Sequence, residues 1–252
     1  MLTERTINSK PEEGGRKIVI RPIADEYPLV HYEWIQRNIE YVNKKSGGRI
    51  GYIYIPDMGP EGLNEFARYF YPQIDKEALI IDDRANGGGN MSPMIIERLL
   101  RQPYRMTMYR GSTHNGTNPD KVQYGPKALL VNKYSASDGD LFPWSFKKNK
   151  IGPVIGTRSW GGIIGISGSL PYIDGTDVRV PFFTNYDTTG EWIVENHGVD
   201  PDIVIDNDPI REFNGEDQQL DKAIEVLLEQ LKDRKPVPGT PAPRTLKDLG
   251  VD

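Results

Sequence analysis

Ser137 stands in the stretch Ser135-Ala136-Ser137-Asp138-Gly139-Asp140, after an apolar run and before a helical pattern. Upstream lies Asp82-Asp83-Arg84-Ala85-Asn86-Gly87-Gly88-Gly89, and downstream Val194-Glu195-Asn196-His197-Gly198-Val199-Asp200-Pro201-Asp202. A serine hydroxyl becomes a nucleophile when a base takes its proton and N–H groups receive the negative charge that develops on the attacked oxygen. A serine at a turn, a glycine loop and a carboxylate supply most of such a site. The base is the part that no motif supplies.

Each residue has an ordinary reading beside the chemical one. Ser137-Asp138 before a helix is also what an N-cap looks like. Against that, a strand–turn–helix placement is where serine nucleophiles project at the end of a sheet, although G-x-S-x-G itself is absent. Ser135 has the same chemistry, lies closer to the strand, and ranks second. Gly87-Gly88-Gly89 reads as a tight turn, or as a row of amides for an oxyanion. It is not a phosphate loop, since neither G-x-x-x-x-G-K-[ST] nor G-x-G-x-x-G is matched. Glu195 reads as a surface carboxylate or as the group that orients a base. Asp82 and Asp83 are rivals for that role, or partners of Arg84 that brace the glycine loop. The histidines are His31 on the first helical pattern, His114 in a polar loop and His197. Two positions after Glu195 on a strand, His197 would share its face.

These residues need elements to position them. Lys17–Pro22 alternates like a strand. Val30, Trp34, Ile35, Ile39 and Val42 recur at helical spacing, and Gly47-Gly48 ends that helix. Arg49–Ile55 is a strand, and Leu63, Phe66, Ala67 and Phe70 mark a helix. Ala78–Ile81 and Ala128–Val131 are continuous apolar runs, as in strands buried on both faces. Helices are expected over about 92–100 and 139–148. Such βα units imply a mostly parallel sheet covered by helices. From Val154 to Glu195 the pattern is strand and turn, with Asp174–Asp177 a hairpin turn and Trp192–Val194 strand-like. A last helix over about 217–231 presents Leu220, Ile224, Leu227 and Leu231.

The 252 residues allow one large core with extensions. A net charge of −5 without a basic tract sets nucleic acid and anionic membranes aside. With no cysteine, neither disulfides nor a thiolate nucleophile exist. Three scattered histidines lack metal-ligand spacing, so no metal and no cofactor are expected. Neither a signal peptide nor a membrane-spanning run is visible, which fits a cytoplasmic protein.

Jointly, the motifs in this order resemble the carboxyl-terminal processing (tail-specific) serine peptidases, in particular the tricorn branch. The resemblance runs from about Lys17 to Leu231. It also includes Ser46-Gly47-Gly48-Arg49-Ile50-Gly51-Tyr52 and Gly156-Thr157-Arg158-Ser159-Trp160-Gly161-Gly162. It implies an α/β, crotonase-like core with a mostly parallel sheet and flanking helices, preceded by the end of a PDZ-like domain. The expected division is 1–25 for that lead-in, 26–232 for the catalytic core and 233–252 for a proline-rich tail. Ser137 matches the family's nucleophile, Glu195 its carboxylate, and the amides of Asp138 and of Gly88 or Gly89 its oxyanion hole. In tricorn the carboxylate works through a serine beside the histidine, and that Ser-His pair lies ahead of the PDZ domain. The chain is therefore expected to hydrolyse peptides through an acyl-enzyme on Ser137, with a histidine from an absent N-terminal segment. The resemblance also implies a homo-oligomer. A catalytically inactive peptide-binding module is the alternative. A thioester isomerase or hydratase rests on fold analogy alone.

Overall fold

A computed structural model describes residues 22–111, 115–234, 248 and 250 of the chain. The expected strand at Lys17–Pro22 save its last residue, residues 1–16 of the lead-in, His114 and most of the proline-rich tail lie outside them. The chain divides into two compact units between Asn38 and Ile39, within helix α1 (Tyr27–Lys45). In the first unit His31 stacks between Tyr27 and Trp34, with ring centroids 5.3 and 6.1 Å apart.

The second unit is built on five parallel strands in the order β1-β2-β5-β6-β9. They are β1 (Ile50–Tyr54), β2 (Ala78–Asp82), β5 (Lys127–Val131), β6 (Val154–Gly156) and β9 (Ile203–Val204). The first three are buried at every position, as continuous apolar runs require of strands covered on both faces. Two antiparallel pairs stand apart from this sheet: β3 (Arg105–Met108) with β4 (Asn115–Asn118), and β7 (Gly165–Pro171) with β8 (Asp177–Phe183). The first pair was not legible in the sequence, because β4, Asn-Gly-Thr-Asn, carries no apolar side chain to signal a partner for β3.

Helices α2 (Pro60–Phe70), α3 (Ser92–Leu100), α4 (Asp138–Lys148), α5 (Pro209–Phe213) and α6 (Gln218–Lys232) complete the unit. α6 opens on Asp217, whose carboxylate accepts the Leu220 N–H at 3.0 Å. It buries Leu220, Ala223, Ile224, Leu227 and Leu231, one stripe at three- and four-residue spacing, against the sheet. Each such leucine or isoleucine contributes about 1.5–3 kcal/mol by leaving water. Among the described residues no helix is long and apolar enough to cross a membrane.

The strand expected at Trp192–Val194 is not formed. Trp192 makes only an isolated bridge to Tyr186. Val194 and Asn196 take φ values of 66° and 59°, and a β-branched residue at positive φ cannot continue a strand. Glu195 therefore sits on a tight, strained turn, and the alternation that would have put His197 on its face does not apply.

Candidate active site

Ser137 follows β5 after a short turn and occupies the N-cap position of α4 with φ 58° and ψ −120°. Non-glycine residues rarely hold this conformation, which costs on the order of 1–3 kcal/mol and persists only when the surroundings enforce it. The enforcement is visible. The Ala136 N–H donates to the Asn86 carbonyl at 2.9 Å, and the Ser137 N–H to the Gly162 carbonyl at 3.1 Å. The Ser137 carbonyl accepts the amides of Asp140 and Leu141 at 2.9 and 3.1 Å. The capping role that the sequence allowed is not taken up, because the hydroxyl makes no cap bond. Nor has it another hydrogen-bond partner among the described residues. Ser135 differs: it is fully buried, and its hydroxyl donates to the Asp83 carbonyl at 2.8 Å.

The glycine loop runs against this turn. A Cβ on Gly88 would lie 2.5 Å from the Ser137 Cβ and 3.1 Å from the Asp138 nitrogen. One on Gly89 would strike the Met58 backbone at 2.2 Å. The loop amides are not equivalent. Gly87 donates to the Pro56 carbonyl at 3.1 Å, and Gly88 to the Asn86 Oδ1 at 2.8 Å. Asn90 and Met91 both donate to the Met58 carbonyl, at 2.8 and 2.9 Å. The Gly89 and Asp138 amides have no acceptor among the described residues, and they flank the serine. Gly88→Ala is expected to drive a methyl into the Ser137 Cβ. It should destabilise the fold by about 1–3 kcal/mol, as overpacking and left-handed strain do. It should also abolish fluorophosphonate labelling of the serine. Thermal melts and intact-mass measurement check both.

The carboxylates divide by environment. Glu195 accepts the Ile163 and Ile164 amides on Oε2, at 2.7 and 3.0 Å. Since the Gly162 carbonyl receives the Ser137 N–H, the stretch 162–164 ties nucleophile and carboxylate to one segment. Asp140, fully buried, holds the same segment by accepting the Gly161 and Gly162 amides at 2.8 and 3.2 Å. The Asp138 carboxylate accepts the Ser92 amide at 2.9 Å and the Ser92 hydroxyl, locking the first turn of α3 to that of α4. Asp82 pairs with Arg84, as expected, but Asp83 does not. Asp83 is fully buried, and among the described residues neither of its carboxylate oxygens has a hydrogen-bond partner. Burial first, then the charges of Asp82, Asp138 and Asp140, push its carboxyl well above the ordinary range. Asn86 pulls the other way, by less than burial and the three carboxylates together push.

Asp83 therefore keeps its proton in the native state over a pH window where the unfolded chain has released it. Stability on its account is full below about pH 4, the ordinary aspartate value, and falls as pH rises toward the raised folded value. Asp83→Asn should remove that slope. The variant is expected to melt above the parent at pH 8 and level with it near pH 4. Melting temperature against pH, measured for both chains, checks this.

Within the second unit, His197 is not paired with the serine. His197 is exposed, with its Nε2 2.9 Å from Asp200 Oδ2, and Asp200 also accepts from Arg158 Nε at 2.6 Å. His31 lies in the aromatic stack of the first unit. Among the described residues no group of three His, Cys, Asp or Glu is placed to hold a metal ion. Sequence reasoning missed the braces: Asn86, Asp140 and the Ser92–Asp138 contact. Asp140 stood inside the serine stretch, two residues before the helix's apolar face, and was the one signal that could have been followed.

An unpartnered serine on a strained strand–helix turn, with two unclaimed amides beside it, is the layout in which serine hydrolases place a nucleophile. The comparisons narrow that class. The model of peptidase family S41 matches residues 49–205, and the chain belongs to that family. It is 39% identical over 231 residues to the tricorn protease of Thermoplasma acidophilum, covering 91% of this chain and 22% of that protein. It is 40% identical over 222 residues to a tricorn protease homolog of Saccharolobus solfataricus, covering 86% and 20%. A crystal structure of the tricorn protease superposes with a TM-score of 0.82 at 40% identity, over 86% of this chain and 21% of that one. The chain thus spans about a fifth of the length of these relatives.

Proposed function

We propose that this chain is the catalytic core of a serine peptidase that cleaves peptides through an acyl-enzyme on Ser137. The observation that carries this reading is the unpartnered Ser137 hydroxyl, held at φ 58° beside the free Gly89 and Asp138 amides. The hydroxyl oxygen attacks the peptide carbonyl carbon, and its proton passes to a histidine from outside this chain. The carbonyl oxygen becomes an oxyanion and accepts from the Asp138 and Gly89 amides. Gly88, whose N–H is taken by Asn86, shapes the loop instead. The histidine then protonates the leaving amine, the C–N bond breaks, and water releases the acyl group by the reverse sequence. Glu195, with Oε2 anchored on two amides, keeps Oε1 for the group that orients the base. Peptides are the substrates, and a homo-oligomer is the assembly that the tricorn relatives suggest.

Incubating the purified chain with a fluorophosphonate, alone and with the relatives' N-terminal part added in trans, and mapping the adduct tests the reading. Labelling at Ser137 that disappears in Ser137→Ala supports it. An adduct at another serine removes it. A second reading, a peptide-binding module without turnover, draws on the pairing of His197 with Asp200 rather than with Ser137. It predicts peptide binding with no adduct, even when the relatives' N-terminal part is added in trans.

A further inference from the structure

Trp160 is a large aromatic residue left 65% exposed on a backbone fixed at every neighbouring position. Its own N–H donates to the Ser135 carbonyl at 2.9 Å. Before it, the Ser159 hydroxyl accepts the Val199 amide at 2.8 Å. After it, the Gly161 and Gly162 amides are bound by Asp140, and the Gly161 carbonyl accepts the Asn196 N–H at 2.7 Å. Such restraint holds the loop rigid, so the exposed ring is presented by a fixed backbone. The indole folds over Gly162: a Cβ there would lie 2.0 Å from the ring's Cζ3 and 2.5 Å from its Cε3. Any other residue at 162 would displace it. Gly162 is also the residue whose carbonyl receives the Ser137 N–H. The ring therefore rests on the residue whose carbonyl holds the nucleophile turn. It has no aromatic or hydrogen-bonding partner among the described residues.

We propose that Trp160 is a specificity residue for the reaction argued above. Its indole is the wall against which the side chain of the residue supplying the scissile carbonyl packs, and it selects a flat, aromatic side chain. The proposal rests on the peptidase reading for its meaning. Its physical content is binding, which can be measured without any chemistry at Ser137. Aromatic pairs favour offset or edge-to-face contact and gain beyond simple area burial, so a phenylalanine should be preferred over an alanine there.

The test uses the full chain carrying Ser137→Ala and two probes, N-acetyl-Ala-Ala-Phe and N-acetyl-Ala-Ala-Ala with free carboxylates, titrated by calorimetry. The phenylalanine peptide is expected to bind about tenfold more tightly. Trp160→Ala should erase that preference, and Trp160→Phe should retain most of it. Equal affinities in the parent, no binding of either peptide, or a preference that survives Trp160→Ala would each overturn the proposal. So would its loss in Trp160→Phe with melting unchanged, since an aromatic wall would still be there. Fluorophosphonate labelling of the unmodified chain is read separately. If Ser137 stays unlabelled even with the relatives' N-terminal part added in trans while the Trp160-dependent preference stands, the peptidase reading fails and the binding wall does not.

Discussion

Ser137→Ala is expected to abolish turnover and leave the fold intact. In an assembly that supplies the histidine, kcat on a fluorogenic peptide should fall by about a millionfold, the scale seen when a serine nucleophile is removed from a complete triad. Melting should hardly move. The hydroxyl makes no cap bond, so losing it costs α4 nothing that this structure shows, and the change should stay within about 0.5 kcal/mol. Ser137→Gly separates strain from chemistry. Alanine keeps the φ of 58°, whereas glycine adopts it freely. Release of on the order of 1–3 kcal/mol of strain, less about 0.5–1 kcal/mol for glycine's greater unfolded-state entropy, leaves a net gain near 1 kcal/mol. A chain that becomes more stable as it becomes inert is what a strained nucleophile predicts. If Ser137→Ala retained full turnover, the assignment would be lost. Ser135 could not replace it without unfolding, because its hydroxyl is buried and committed to Asp83.

The sheet was legible because its signal is local. Three apolar runs of strand length, each followed by a helical pattern, leave little choice but parallel strands, and the structure places them side by side. The serine turn and glycine loop were legible as residue types. Which glycine amide stays free was not. That depends on the Asn86 side chain taking Gly88 and on the Met58 carbonyl taking Asn90 and Met91, contacts between segments that no spacing encodes. Asp82 and Asp83 make the same point. They are identical in type and adjacent, yet strand alternation turns them to opposite sides. One meets Arg84 and Tyr52, and the other meets no hydrogen-bond donor. The sequence suggested that both brace the loop, and only one does. The turn at Glu195 was misread as strand because Trp-Ile-Val has high strand propensity. The Glu195 bonds to Ile163 and Ile164 and the Gly198 amide's bond to the Val194 carbonyl hold it otherwise.

Arg84→Met is expected to be the most damaging substitution away from the nucleophile. Arg84 donates from Nε to Asp82 Oδ1 at 2.9 Å and from Nη2 to Oδ2 at 2.6 Å, a two-pronged pair at the carboxyl end of β2. Its Nη1 reaches Asp217, the cap of α6, at 2.8 Å, and Gln219 at 3.1 Å. One guanidinium thus joins the central sheet to the helix that covers it, immediately before the glycine loop. Both partners of the Asp82 pair are buried, so methionine would leave a carboxylate with the Tyr52 hydroxyl, at 2.7 Å, and the backbone N–H of residue 84, at 3.1 Å, but no countercharge from residue 84, in a site shut off from water. Removing one member of a buried pair typically costs about 3–5 kcal/mol. For a chain of this size that is roughly 10 °C in melting temperature. The cost is mostly the stranded charge rather than the lost attraction, which a second variant can show. Arg84→Met with Asp82→Asn removes the charge and keeps the Tyr52 contact, and it should recover more than half of the loss. Additive losses in the double variant would mean that the pair is not coupled and that Arg84 acts through α6 alone. A single-variant loss below about 1 kcal/mol would place it among ordinary surface pairs, against its burial. Because the loop that carries the Gly89 amide begins at the next residue, the same double variant should also restore labelling at Ser137 along with stability.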